Sequence, residues 1–270
     1  MNMREDLKNI VTDLPTIPGV YYIYTDEERL IYIGKSNNIK KRLSQHFTCT
    51  DRKSVKIQNF ASKVRYEPTG SELIALLMES EEIKYHKPIY NRAQRHSIFY
   101  YGLYPEITEE GYIALQLKKI DNQSQEINSY LSLKQGKEDL FRITETYKLC
   151  QKINGLYKTK AQCFQYTLHE CLGACINKEP IQDYNKRVQQ YLKKNSFPQE
   201  TLLLKLPGRT KDEKGLVLIE NGIYKGFGFC PKRSRKDPLT FIKPKSDNKD
   251  ARRILRSYLK NNKIVSLKIQ

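Results

Sequence analysis

The sequence predicts an α+β protein: an N-terminal α/β unit, a cysteine-containing helical region, and a small α+β segment at the end. Three observations predict it. Two runs of β-branched and aromatic residues, Gly19–Tyr24 and Leu30–Gly34, flank the polar turn Thr25–Arg29, the pattern of a hairpin. Apolar residues recur at helical spacing within Ile39–Phe47, Glu72–His86 and Lys249–Asn261. Asn221-Gly222 separates two further strand-like runs, Leu216–Glu220 and Ile223–Phe229, as a type I′ turn would. The expected divisions are residues 1–97, 98–195 and 196–270.

Taken in order, residues 1–13 form a short helix with Leu7, Ile10 and Val11 on its apolar side, and the two prolines of Leu14–Pro18 force an extended entry into the first strand. Asn37 or Asn38 caps the helix Ile39–Phe47, whose apolar side is Ile39, Leu43 and Phe47. Thr48–Gln58 reads as a basic loop and Lys63–Glu67 as a third strand, completing a three-stranded antiparallel sheet flanked by helices. Thr69 or Ser71 caps the helix Glu72–His86, with Leu73, Leu76, Leu77 and Ile83 inward, Glu79 at the edge of that side, and Pro88 beyond its end. From about Ser97 the expected elements are strands at Tyr112–Lys118 and Ile127–Leu133, and helices at Lys137–Leu149 and Ile181–Lys193. After the second hairpin come a strand at Leu239–Ile242, the helix Lys249–Asn261 and a last strand at Ile264–Ile269.

Forty-eight Lys and Arg against thirty Asp and Glu give a net charge of +18. Such a surface attracts polyanions and releases counterions from a phosphate backbone, so nucleic acid is the leading class of partner. No run approaches the roughly 18 apolar residues of a membrane helix, and the N-terminal stretch lacks the apolar core of a signal peptide. The expected address is the cytoplasm, with no membrane partner. In that compartment six cysteines read as thiols or metal ligands before disulfides.

Hydrolysis of a phosphodiester needs a divalent ion, an activated nucleophile, and cations on the phosphate oxygens. Glu79 suits a hard-cation ligand, Arg42 offers a planar fork and Lys35 a point charge, and a tyrosine beside such cations can serve as a base. Each residue alone also has an ordinary reading. Strand tyrosines usually pack, surface cations are usually solvated, and a helical Glu beside Glu81 and Glu82 usually belongs to a polar face. Composition and periodicity stop at a basic α/β protein that binds nucleic acid.

The wording goes further. LPTIPGVYYIY…LIYIGKSNNIKKRLSQHF, with Gly19-Val20-Tyr21 and Tyr32-Ile33-Gly34, resembles the GIY-YIG nuclease domain, and TGSELIALLMESEEIKYHKPIYN resembles its later half. The sequence looks most like the N-terminal half of the UvrC-type excinucleases and their shorter single-nuclease homologues. This resemblance implies one Mg²⁺ or Mn²⁺ on Glu79, Tyr32 as general base with Tyr21 hydrogen-bonding beside it, Arg42 stabilising phosphorane-like charge, Lys35 assisting and Asn91 orienting. Lys35, Asn38, Lys41 and Arg42 are the expected DNA contacts. Arg42 followed four residues later by His46 looks more like the homing-type and structure-specific branches, which brings His46 into the candidate set. The expected function is the 3′-side incision of nucleotide excision repair on lesion-bearing double-stranded DNA, with a damage-verifying helicase as partner. The length leaves no room for the second nuclease and helix-hairpin-helix regions of the full-length repair nucleases. The alternatives are a non-catalytic DNA-binding module of the same fold and a nuclease of a mobile element.

Cys150-x12-Cys163-x7-Cys171-x3-Cys175 lacks the tight knuckle of a zinc finger. On spacing alone, free thiols and a four-ligand metal site stand level. The segment resembles the four-cysteine region of the UvrC-type excinucleases, which implies an iron–sulfur cluster of [4Fe–4S] type, with Zn²⁺ as the alternative.

Overall fold

The computed structural model describes residues 3–92, 99–120, 126–195, 200–262 and 266–268. The chain divides into two compact units, one formed by residues 1–97 with 197–270, the other by residues 98–196. The boundaries expected near Ser97 and after Asn195 lie outside the described residues.

The first unit opens with α1 (Glu5–Thr12), which buries Leu7 and Val11. Strands β1 (Gly19–Tyr24) and β2 (Leu30–Ser36) pair antiparallel, with Tyr21 opposite Gly34 and Ile23 opposite Tyr32. Next come α2 (Ile39–Thr48) and α3 (Arg52–Phe60), then β3 (Lys63–Pro68), which pairs with the other side of β1 to give the order β2-β1-β3. Successive side chains of a strand point to opposite faces, and here both faces are covered. Tyr21, Ile23 and Tyr32 enter one core with Leu7, Ile39, Leu43, Phe47 and Ile57, while Val20, Tyr22 and Ile33 enter another with Ala75 and Ile83. That is why the two strands read as unbroken apolar runs.

Most of the loop expected at Thr48–Gln58 is instead α3, which runs from Arg52 to Phe60. Asp51 caps it by accepting from the N–H groups of Lys53 and Ser54, and Ile57 is its buried anchor. A polar, basic exposed face hid the period from a search for apolar repeats.

Helix α4 (Glu72–His86) is capped by Ser71 and ends at Lys87 in the left-handed conformation (φ 49°). Its burial is wider than one stripe: Ile74 and Ala75 are buried with Leu73, Leu77 and Ile83, whereas Leu76 is only half-buried.

The second unit holds a three-stranded antiparallel sheet of β4 (Tyr101–Ile107), β5 (Ile113–Lys119) and β6 (Asn128–Tyr130), in the order β5-β4-β6. Strand β4 was not expected from the sequence. Helix α5 (Leu133–Thr146) begins four residues before the expected Lys137, because Ser132 accepts from the N–H of Gln135 and caps it there. The strand expected to reach Leu133 therefore stops at Tyr130. The short α6 (Phe164–Thr167) and then α7 (Ile181–Asn195) follow. Leu140, Ile143, Tyr184, Val188 and Tyr191 share one core with Cys150, Cys163 and Cys171.

The chain then returns to the first unit with β7 (Leu202–Pro207), β8 (Glu213–Glu220), β9 (Ile223–Pro231), β10 (Ile242–Pro244), α8 (Lys249–Asn261) and β11 (Ser266–Lys268). The antiparallel sheet runs β10-β9-β8-β7-β11. Asn221 and Gly222 both have positive φ (50° and 74°), as a type I′ turn requires. The strand expected at Leu239–Ile242 is instead a 3₁₀ turn, Pro238–Phe241, started by Asp237 accepting from the Leu239 N–H. The ends of the strand expected at Ile264–Ile269 lie outside the described residues. Leu202, Leu204, Val217, Ile219, Phe227 and Leu255 pack against Leu73, Ile74 and Leu77, so α4 lies between the two sheets of this unit.

Candidate active site

The two tyrosines lie on the face of the first sheet that α2 and α3 cover. Tyr21 and Tyr32 are buried, their ring centroids 6.1 Å apart. Gly34 makes room for this pair: a Cβ there would sit 2.4 Å from the Tyr21 hydroxyl oxygen. Burial pushes the Tyr21 and Tyr32 hydroxyls above their usual range. For Tyr32 the negative charge of Glu79 adds to that rise, while Arg42 and the Tyr21 hydroxyl favour the ionised form.

Glu79 comes from α4 to the end of β2, where its Oε1 accepts the backbone N–H of Lys35 at 3.0 Å. Burial raises its pKa, opposed first by that N–H and then by the charges of Lys35, Lys53 and Arg42. The Lys35 ammonium is engaged elsewhere, 2.5 Å from Glu72 Oε1, and Glu72 also accepts from Asn37 at 3.3 Å. Glu72 was not singled out from the sequence. Asn91 is 2% exposed and clamps the backbone of β2, accepting from the Ile33 N–H at 2.9 Å and donating to the Ile33 carbonyl at 2.8 Å. Asn38 caps α2, its Oδ1 accepting from the Lys41 N–H. Lys41 and Arg42 are exposed on that helix.

The first turn of α3 supplies groups that the sequence reading placed in a featureless loop. The Lys53 Nζ lies 4.5 Å from the centre of the Tyr32 ring, a cation–π distance, and burial against it lowers the lysine's pKa. His46 packs against the same turn, its ring 5.1 Å from Tyr32 and 6.3 Å from Phe47. Its Nδ1 is 3.0 Å from Ser54 Oγ. Burial, reinforced by Arg42 and Lys53, lowers its pKa to about 4, so the imidazole is neutral near pH 7. The available signal was Asp51, a favoured N-cap residue, directly before the helix. The site thus gathers one half-buried carboxylate, two buried phenols and several cations, a set able to hold a hard cation and a phosphate together.

Residues 17–92 match the family described as the UvrC-like GIY-YIG domain, and residues 102–194 match the UvrC/Cho excinuclease middle domain. Residues 17–92 are thus a UvrC-like GIY-YIG domain, followed by a UvrC/Cho-type middle domain over residues 102–194. Among curated relatives, the UvrABC system protein C of Borrelia garinii subsp. bavariensis is 32% identical over 198 residues, covering 70% of this chain and 31% of its own. Excinuclease cho of Escherichia coli K12 is 28% identical over 195 residues, covering 70% of this chain and 65% of its own. The chain thus spans about a third of the first relative and just under two-thirds of the second. Among solved structures, the GIY-YIG N-terminal endonuclease domain of UvrC from Thermotoga maritima, bound to its catalytic divalent cation magnesium, is 28% identical. That match covers 33% of this chain and 99% of the domain, with a TM-score of 0.31. Among the described residues, no helix is long and apolar enough to cross a membrane.

The excinuclease-type middle domain holds the four cysteines. The Sγ atoms of Cys150, Cys163 and Cys175 all lie within 4.8 Å of one another, and all four thiols are free. Hydrogen bonding to Cys150 lowers the Cys171 thiol and raises Cys150. Backbone N–H groups point at the sulfurs: Cys163 donates to Cys175 at 3.4 Å and Gly173 to Cys171 at 3.5 Å. Asn154 fixes the start of this segment, donating to the Cys150 carbonyl and the Tyr184 hydroxyl and accepting from the Leu115 N–H.

Proposed function

We propose that this chain is a metal-dependent endonuclease that hydrolyses a phosphodiester bond of lesion-bearing double-stranded DNA, making the 3′-side incision of nucleotide excision repair with a damage-verifying helicase as partner. One observation carries the chemistry: Glu79, a half-buried carboxylate, converges on Tyr32 together with the charges of Arg42 and Lys53. A half-buried carboxylate whose pKa is raised by desolvation fits a hard divalent cation, Mg²⁺ or Mn²⁺, and a single protein oxygen ligand suits an ion that keeps most of its water. When bound, the ion supplies Lewis-acid stabilisation of phosphoryl charge.

The chain's own residues do the rest. Tyr32 is the base for the attacking water, and neutralising Glu79 removes the charge that most opposes its ionisation after burial. Arg42 and Lys53 offer donors to the phosphate oxygens. Asn91 holds the β2 backbone on which Tyr32 sits. Glu79→Gln is expected to abolish nicking of a lesion-bearing duplex in Mg²⁺ while duplex binding persists. A Glu79→Gln protein that cuts like the parent would overturn the metal assignment. A parent that binds DNA but never nicks it, with or without the helicase, would favour the non-catalytic binding module.

We further propose that Cys150, Cys163, Cys171 and Cys175 hold a metal group. The wording of the segment supports [4Fe–4S], whereas the close approach of three of the sulfurs, those of Cys150, Cys163 and Cys175, within 4.8 Å of one another suits a single tetrahedral Zn²⁺, whose Zn–S bonds of about 2.3 Å draw the ligands close. Protein purified without oxygen and analysed for metal decides: brown colour with iron means the cluster, colourless protein with zinc means the single ion, and neither means four thiols.

A further inference from the structure

The contact between His46 and the first turn of α3 fixes a proton that the catalytic reading leaves unassigned. His46 Nδ1 lies 3.0 Å from Ser54 Oγ. Ser54 is 4% exposed, and its hydroxyl has one proton to give. Two acceptors compete for it, the imidazole nitrogen and the carboxylate of Asp51, which already accepts the Ser54 N–H at 3.0 Å. A hydrogen bond to an ionised acceptor is roughly twice as strong as one between neutral groups. The Ser54 hydroxyl proton is accordingly better placed toward Asp51, the charged neighbour that already holds its N–H, than toward the neutral ring. Its oxygen is then left to accept, and the group at 3.0 Å with a proton to give is Nδ1–H of His46.

A neutral imidazole protonated at Nδ1 carries a lone pair on Nε2. That atom is buried beside Tyr32 and has no hydrogen-bond partner among the described residues. A buried acceptor left unpaired is costly, and the cost is relieved when a donor arrives. The groups around the imidazole are Arg42 on its own helix, Asp51, Lys53 and Ser54 on α3, and Tyr32 on β2. Arg42 and Lys53 disfavour a charged imidazole, so the ring serves as a neutral acceptor.

We propose that Ser54 and Asp51 are positioning residues that hold His46 as the Nδ1–H tautomer, so that its Nε2 accepts a hydrogen bond from the attacking water beside Tyr32. The catalytic part of this proposal rests on the nuclease reading above; the tautomer does not. No proton transfer to His46 is required. Its lone pair orients the water, and Tyr32 takes the proton.

The full chain labelled with ¹⁵N-histidine reports the tautomer directly through long-range proton–nitrogen correlations, with His46 assigned among the four histidines by substitution. The parent is expected to show His46 protonated at Nδ1 and bare at Nε2 near pH 7.5. Ser54→Ala is expected to move the proton to Nε2 in most molecules. It should also slow nicking on the order of tenfold, the loss of about one hydrogen bond, with duplex affinity unchanged within about twofold. Ser54→Thr, which keeps the hydroxyl, should restore both. Asp51→Asn keeps the helix cap but removes the charge, and is expected to give a mixture of tautomers in a fully folded protein. His46 protonated at Nε2 in the parent would overturn the proposal, as would a Ser54→Ala protein with the parental tautomer or rate. If the parent shows the Nδ1–H tautomer yet nicks no DNA, the nuclease reading fails and the positioning of His46 stands.

Discussion

At the scale of the residue, the site depends on close approach as much as on functional groups. Tyr21 reaches its place only because its partner across the β1–β2 ladder, residue 34, has no side chain. A Cβ at Gly34 would stand 2.4 Å from the Tyr21 hydroxyl oxygen and 2.5 Å from the ring carbon that bears it. Neither distance is tolerable, and Tyr21, 1% exposed, has little freedom to move aside. Gly34→Ala is therefore expected to cost roughly 1–3 kcal/mol of stability, the usual range for overpacking a core, measured by urea unfolding. It should also reduce nicking more than duplex binding, since the displaced ring belongs to the site. Parental stability with parental nicking would show that the Tyr21 ring is not held by this contact. The sequence displayed Tyr21, Tyr32, Arg42 and Glu79 at recognisable offsets, but it could not show what their neighbours do. Lys35 was legible as a cation, yet its ammonium meets Glu72 while its backbone N–H meets Glu79. Asn38 was legible as a cap and as a DNA contact, and its side-chain oxygen is engaged in the cap. Both partners of Lys35 lie more than thirty positions away, which spacing along the chain does not encode.

At the scale of the element, two helices mark where sequence reading works and where it stops. The boundaries of α4 and α8 follow from caps and period: Ser71 and Asn248 accept from the first turns as Ser and Asn caps should, and both helices run over the expected residues. What could not be read was how much of α4 is buried. A helix apolar around most of its circumference is buried on more than one side. Here Ala75 and Ile83 face the first sheet while Leu73, Ile74 and Leu77 face the second. The opposite failure befell α3. Its one fully buried apolar anchor, Ile57, offers no period, and the decisive signal was Asp51 at the cap. Missing that helix meant missing Lys53 and Ser54, so the wall of the site nearest Tyr32 and His46 was absent from the sequence reading.

At the scale of the whole molecule, the packing of α4 links the candidate active site to a segment more than a hundred residues further along the chain. Glu79 projects from the same helix whose Leu73, Ile74 and Leu77 pack with Leu204, Val217 and Leu255. Lys84 donates to Asn248 and pairs with Asp250, and Lys245 pairs with Glu81 at 2.8 Å, so the ends of that packing are tied by polar groups as well. Fully burying one such aliphatic side chain contributes about 1.5–3 kcal/mol. Exposing three of them would forfeit about 4.5–9 kcal/mol, comparable with the net stability of a typical domain. Residues 1–97 expressed alone are therefore expected to melt well below the full chain, or to self-associate through the bared face of α4. Replacing Leu73, Ile74 and Leu77 with polar residues in that fragment should restore a monomer. Thermal unfolding and sedimentation of the two fragments against the full chain check this. A monomeric, unmodified fragment as stable as the parent would show that the C-terminal sheet is not needed to hold α4, and with it Glu79, in place.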